Sequence, residues 1–257
     1  MRRARIVIAA AAAAITTVLA GCSGSTQAGA GPDADSITVF AAASLRSTFT
    51  ELGRRFEEQH PGTRVLFNFA GSSDLVAQLD QGAHGDVFAS ADTANMTKAV
   101  RAGLTSSDPV NFATNLLTIV VPPDNPASIR SFADLARPDV EVVVCAPQVP
   151  CGTATRKIED ATGVRLSPVS EESSVTDVLG KVVTGQADAG LVYVTDAAGA
   201  VGKVASVDFP ESARAVNTYP LAVLKDSGDP GSAAQFAALV TGPEGRAVLA
   251  EAGFGTP

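Results

Sequence analysis

Ile37-Thr38-Val39-Phe40-Ala41-Ala42-Ala43-Ser44-Leu45 is the stretch whose reading decides the fold. Its first four residues are β-branched or aromatic and read as a buried strand. Leu45, Phe49, Leu52 and Phe56 then recur at the spacing of one helix face. Ser44 stands just before that face, where an N-cap belongs. A strand that runs through a small-residue turn and a hydroxyl into a helix leaves free N–H groups at the junction. Such a corner attracts anions. An ordinary capped helix carries the same local sequence, so the weight of the reading rests on repetition.

The corner does repeat. Residues 64–69 alternate as a strand, and Ala70-Gly71-Ser72-Ser73 leads into a helix carrying Leu75, Val76 and Leu79. Residues 86–90 read as a short buried strand, and Asp92 caps a helix through Met96, Ala99 and Val100. This βαβαβα unit predicts a parallel sheet with helices on both faces. A second block follows, with strands over 116–121, 140–144 and 189–193 and a short helix over 131–135. Val149-Pro150-Cys151-Gly152-Thr153 opens one of its helices, and Glu171-Glu172-Ser173-Ser174 opens another at Val175. A late strand over 219–224 and two late helices, around Phe236 and Val248, complete the pattern. In open sheets ligands bind beyond the carboxyl ends of the strands. The corners at Ser44, Ser72-Ser73, Cys151-Gly152 and Ser174-Val175 are therefore the candidate site, with Tyr193 at the end of its own strand. Neither Lys nor Arg lies inside a corner, although Arg46 and Arg156 follow closely.

The 257 residues carry a formal net charge of −8, and three of the cations, Arg2, Arg3 and Arg5, sit in a leader without acids. Such a body is a poor partner for nucleic acid or an anionic membrane, so attraction for an anion must come from local dipoles. The basic start, the apolar run over 6–19 and Leu19-Ala20-Gly21-Cys22 read as an export signal ending in a sequence that resembles the bacterial lipobox. Cys22 is then expected to carry lipid and hold the protein on the outer face of the cell membrane. Residues 23–36 are rich in Gly, Ala, Ser and Asp and read as a tether. Cys145 and Cys151 remain, an even pair in a compartment that permits disulfides, to be bridged or left as buried thiols.

Four short motifs carry a family resemblance. They are Phe40-Ala41-Ala42-Ala43-Ser44-Leu45; Gly71-Ser72-Ser73-Asp74-Leu75 with the segment 85–92; Val149-Pro150-Cys151-Gly152; and the segment 190–197. In this order they resemble the signatures of the molybdate-binding proteins of bacterial ABC importers. The resemblance implies an α/β fold of two doubly wound lobes, the type II periplasmic-binding-protein architecture, with an oxyanion held in the cleft. Lobe I is expected over 37–115 and 215–257, lobe II over 116–214, after a leader over 1–21 and a tether over 22–36. Hydroxyl ligands are implied at Ser44, Ser72 and Tyr193, and backbone donors at Ser44, Ser72, Cys151 and Val175. The family usually has Ala where Cys151 stands and often Pro where His84 stands. The resemblance further implies molybdate or tungstate as ligand, a membrane permease as partner, a monomer, and no cofactor or bare metal ion.

The chemistry suits that implication. A fully deprotonated oxyanion accepts hydrogen bonds and donates none, so a donor-only site favours it over hydrogen phosphate. Bonds to a charged group contribute about 1.5–3 kcal/mol each, which permits micromolar or tighter binding without a counter-cation. Sulfate or thiosulfate would use the same donors in a smaller cleft. Ferric iron would want several phenolates or carboxylates, and the chain has only Tyr193 and Tyr219. A serine hydrolase lacks its Gly-x-Ser-x-Gly motif here, and its base would have to be His60, beside a Pro-Gly turn, or His84, in a Gly-rich loop. Asp86 and Asp92 read as a loop residue and an N-cap, so an enzyme is not expected.

Overall fold

The computed structural model describes residues 35–257. The leader, Cys22 and the tether up to residue 34 lie outside the described residues. The first block runs β1 (Asp35–Ala42), α1 (Arg46–Gln59), β2 (Thr63–Ala70), α2 (Ser72–Asp80), β3 (Val87–Ala89), α3 (Thr93–Arg101) and β4 (Val110–Asn115). The chain then enters a second block. This comprises β5 (Leu117–Val121), β6 (Val142–Cys145), α4 (Pro150–Thr162), β7 (Ser170–Glu172), α5 (Val175–Val183), β8 (Ala189–Tyr193), α6 (Val194–Ala198) and β9 (Ala205–Val207). It returns through β10 (Asn217–Val223) to α7 (Pro230–Thr241) and α8 (Pro243–Glu251).

Two five-stranded sheets result, in the orders β2-β1-β3-β10-β4 and β7-β6-β8-β5-β9. Each is mixed. β1 runs parallel to β2 and β3, and β6 to β7 and β8, but β10 and β5 lie antiparallel to both their neighbours. β1, β2 and β3 run parallel, as expected for the first block, and the sheet that holds them becomes mixed through β10. The returning strand enters between β3 and β4, and its direction is set by the crossover from the other lobe. Three strands, β4, β7 and β9, escape the sequence reading because they are short or half-exposed and show little apolar contrast.

Both faces of the first sheet are covered. Successive side chains of a strand point to opposite faces. Ile37, Val39 and Ala41 pack with Phe49, Leu52, Phe56 and Phe236 of α1 and α7. Phe40 and Phe88 pack on the opposite face with Leu75, Leu79 and Met96 of α2 and α3. The second sheet has its own core, with Val142, Val143, Leu191 and Val192 among its buried residues. Burying each such side chain contributes about 1.5–3 kcal/mol, so each sheet has its own anchor. Leu45, Phe49, Leu52 and Phe56 are fully buried, as their spacing predicts.

Candidate functional site

The strand ends of the two lobes face each other across a small cavity. Lobe I contributes Ala42, Ala43, Ser44, Gly71, Ser72 and Ala91, and lobe II contributes Val149, Pro150, Cys151, Val175 and Tyr193. The five implied ligands, Ser44, Ser72, Cys151, Val175 and Tyr193, therefore line one space, whereas Gly152 and Ser174 of the same corners do not. That space has no charged side chain in its wall. Arg46 instead lies over the Phe69 ring, 4.6 Å from its centroid, and Arg156 pairs with Glu159 and Glu171 at 3.8 Å.

Three of the helix starts around the cavity carry no side-chain cap. α3, α5 and α7 have side-chain caps from Asp92, Ser174 and Asp229. α2 and α4 have none, and neither has the 3₁₀ turn Ala43–Leu45 that precedes α1. First-turn N–H groups have no intrahelical acceptor, so those of Ser44, Ser72 and Cys151 remain free to donate. Pro150 supplies the first residue of α4, where a missing N–H costs nothing. In α5 the Ser174 hydroxyl accepts from Asp177 N–H, which leaves the Val175 N–H without an intrahelical partner.

Ser44 is not the N-cap that its position suggested. It lies within the 3₁₀ turn, and its hydroxyl is 3.0 Å from the Tyr219 hydroxyl. Ser72 is the first residue of α2 and accepts from the Ala91 N–H at 3.0 Å. Its neighbour Ser73, part of the same predicted corner, does not line the cavity. Tyr193 ends β8, and its buried hydroxyl has no hydrogen-bond partner within the described protein. Burial raises the Tyr193 phenol well above its usual value, with the Tyr219 hydroxyl and the acids Asp92 and Asp196 adding to the effect. Tyr193 therefore keeps its proton. The Tyr193 backbone N–H donates to Asp196 Oδ2 at 3.1 Å. Burial pushes the Asp196 carboxyl up to about 7.

A disulfide joins Cys145, at the end of β6, to Cys151 in the first turn of α4, with Cα atoms 5.6 Å apart. The backbone is tight at this point. A Cβ on Gly152 would meet the Ala146 carbonyl oxygen at 2.0 Å. The bridge and this contact tie the donor end of α4 to the strand behind it.

The lobes are closed on each other. Asn95 Nδ2 of α3 donates to the Gln148 carbonyl at 3.4 Å, and Asn217 Nδ2 donates to Ala91 O at 2.8 Å and Pro150 O at 3.5 Å. A Cβ on Gly71 would stand 2.1 Å from the Ser173 carbonyl oxygen of the opposite lobe. The sequence reading missed Tyr219, Asn217 and the Gly71 contact. The one available signal was a phenol at the head of an otherwise apolar strand. His60 stacks on Phe56 at 4.2 Å, and His84 lines a separate hollow with Leu104 and Asp226. Neither histidine borders the cavity. Among the described residues no cluster of His, Cys, Asp and Glu is arranged to hold a metal ion.

A two-lobed mixed α/β body with open helix starts around a small cavity is the form of a solute receptor. Residues 37–255 match the family model of the bacterial extracellular solute-binding proteins. The chain belongs to that family. This solute-binding protein is 59% identical over 233 residues to the molybdate-binding protein ModA of Mycobacterium tuberculosis, covering 91% of this chain and 89% of the relative. Its fold matches the periplasmic molybdate-binding protein of Azotobacter vinelandii with a TM-score of 0.74 at 23% identity, covering 86% and 99% of the two chains. It also matches the sulfate-binding protein SubI of Mycobacterium tuberculosis with a TM-score of 0.75 at 23% identity, covering 86% of each.

Proposed function

We propose that this solute-binding protein captures molybdate, and tungstate with it, outside the cytoplasm and hands it to the permease of an ABC importer. The observation that carries the reading is the wall of the cavity. Ser44, Ser72, Cys151, Val175 and Tyr193 converge there with hydroxyl and N–H donors and without a charged side chain. The space is far smaller than the roughly 300–1,000 Å³ of pockets for organic ligands, so a small inorganic ion suits it. The donors complement an ion that only accepts, and helix N-termini supply the positive potential that the acidic body lacks. The relative that is 59% identical is itself a molybdate-binding protein. In this reading the residues bind and orient, and the protein carries out no chemistry on its solute.

Sulfate or thiosulfate remains the second reading, because both would use the same donors. Calorimetric titration of the body from residue 36 onward separates the two. Molybdate and tungstate are expected to bind far more tightly than sulfate, and phosphate barely. Equal affinity for sulfate would transfer the assignment to the second reading. Localisation is part of the same proposal. Cys22, in its lipobox-like tetrapeptide, is proposed to carry the lipid that holds the receptor near its permease. Cys22→Ala should move the protein into the aqueous phase of a detergent partition, and an unchanged partition would remove the anchor.

A further inference from the structure

We infer that Tyr219 is a positioning residue that sets the ligand selectivity of the site, by donating its hydroxyl proton to Ser44 and so turning the Ser44 proton into the cavity. The inference rests on the oxyanion reading above. Tyr219 does not line the cavity, but its hydroxyl lies 3.0 Å from Ser44 Oγ, which does. A serine hydroxyl has one proton and two lone pairs. If it spends that proton on an anion, its bond to Tyr219 must run from the phenol to the serine. Burial holds the Tyr219 phenol far above its usual value, so the proton is present throughout the neutral range.

The other cleft serine follows the same arrangement. Ser72 Oγ accepts from the Ala91 N–H at 3.0 Å, which occupies one of its lone pairs from behind and leaves its proton for the cavity. In each case a donor beneath the wall fixes the polarity of a hydroxyl in the wall. For Ser72 that donor is a backbone N–H and cannot reverse. For Ser44 it is a side chain, which mutation can remove. Without it, the Ser44 hydroxyl is free to turn its proton away from the cavity and accept from a protonated oxyanion. Tyr219 thus holds Ser44 as a donor, and hydrogen phosphate is disfavoured because its proton meets the proton that Ser44 turns into the cavity.

The test is a double-mutant cycle on the mature protein, with wild type, Tyr219→Phe, Ser44→Ala and the double variant titrated by calorimetry. It uses whichever of molybdate and sulfate wild type holds more tightly, and phosphate by competition. Phe keeps the ring and its packing against Phe112 and Phe254, and ligand-free melting checks that each variant is folded. Tyr219→Phe should weaken the dianion about three- to tenfold in the Ser44 background and less than about twofold in the Ser44→Ala background. It should leave phosphate unchanged or bound more tightly. A merely structural role would give the same loss in both backgrounds, or the same loss for both anions, and either result overturns the inference. Preference for sulfate over molybdate would fell only the molybdate reading, because the cycle then proceeds with sulfate. A wild type that holds no oxyanion would fell both.

Discussion

Gly71→Ala separates ligand capture from folding. The new Cβ would stand 2.1 Å from the Ser173 carbonyl oxygen, 3.3 Å from its carbon and 3.6 Å from Val149 Cγ1. An ordinary carbon–oxygen contact is about 3.3 Å, so the gap is more than about 1 Å too short. The obstacle is backbone belonging to the other lobe, and no rotamer change relieves it. The relief available is for the lobes to open. Opening draws the Cys151 and Val175 donors away from Ser44 and Ser72. Each lost bond to a charged group costs about 1.5–3 kcal/mol, so losing both weakens the oxyanion about a hundredfold or more. The fold should not suffer. Gly71 has φ −61° and ψ 140°, which alanine adopts without strain. Alanine is a poorer N-cap than glycine but also reduces unfolded-state entropy, and the two effects, each about 0.5–1 kcal/mol, oppose one another. Three measurements on one preparation decide the matter: ligand-free melting, calorimetric titration with molybdate, and small-angle scattering with and without ligand. The expected result is a melting temperature near wild type, a loss of affinity of about a hundredfold, and no compaction on adding ligand. A folded variant that binds within threefold of wild type would refute the view that this closed approach of the lobes is the binding state.

Other outcomes follow from the same geometry. Ser72→Ala removes a hydroxyl donor and leaves the Ala91 N–H without its acceptor. Affinity should fall about ten- to a hundredfold by calorimetry, with a smaller drop in melting temperature. The disulfide closes a separation of only six residues, so Cys145→Ser should cost about 2 kcal/mol in denaturant melts. It should also weaken oxyanion binding although Cys145 does not line the cavity, and unchanged affinity would confine the bridge to a stabilising role. Asp196 gives a pH dependence. Its folded carboxyl titrates near 7, above the unfolded value of 3.8, so the folded state holds the extra proton between these limits. Its contribution to stability is complete below about pH 4 and is lost as pH rises through 7. Asp196→Asn should therefore lose less melting temperature between pH 5 and pH 8 than wild type, and parallel curves would refute the assignment.

Much of the site was legible because its parts are local. A strand, a small turn and a helix start are encoded within a dozen residues, and the apolar spacing of Leu45, Phe49, Leu52 and Phe56 depends only on helix geometry. Pro150 at the first position of α4 and the small residues before Ser44 and Ser72 are likewise readable where they stand. The sequence by itself determined which corners offer free N–H groups, because an uncapped helix start is a property of its own first turn. It did not determine how the hydroxyls in those corners are used. Ser44 looked like a cap because serine before an apolar helix face usually is one, yet its partner is a phenol 175 residues away. That contact exists only because β10 returns from the second lobe and inserts antiparallel between β3 and β4. The close approach of Gly71 to Ser173 likewise joins two lobes whose sequences carry no mark of each other. Periodicity and capping are settled by neighbours along the chain. The direction of a hydroxyl proton and the fit of one lobe against the other are settled by groups that only the tertiary structure brings within about 3 Å.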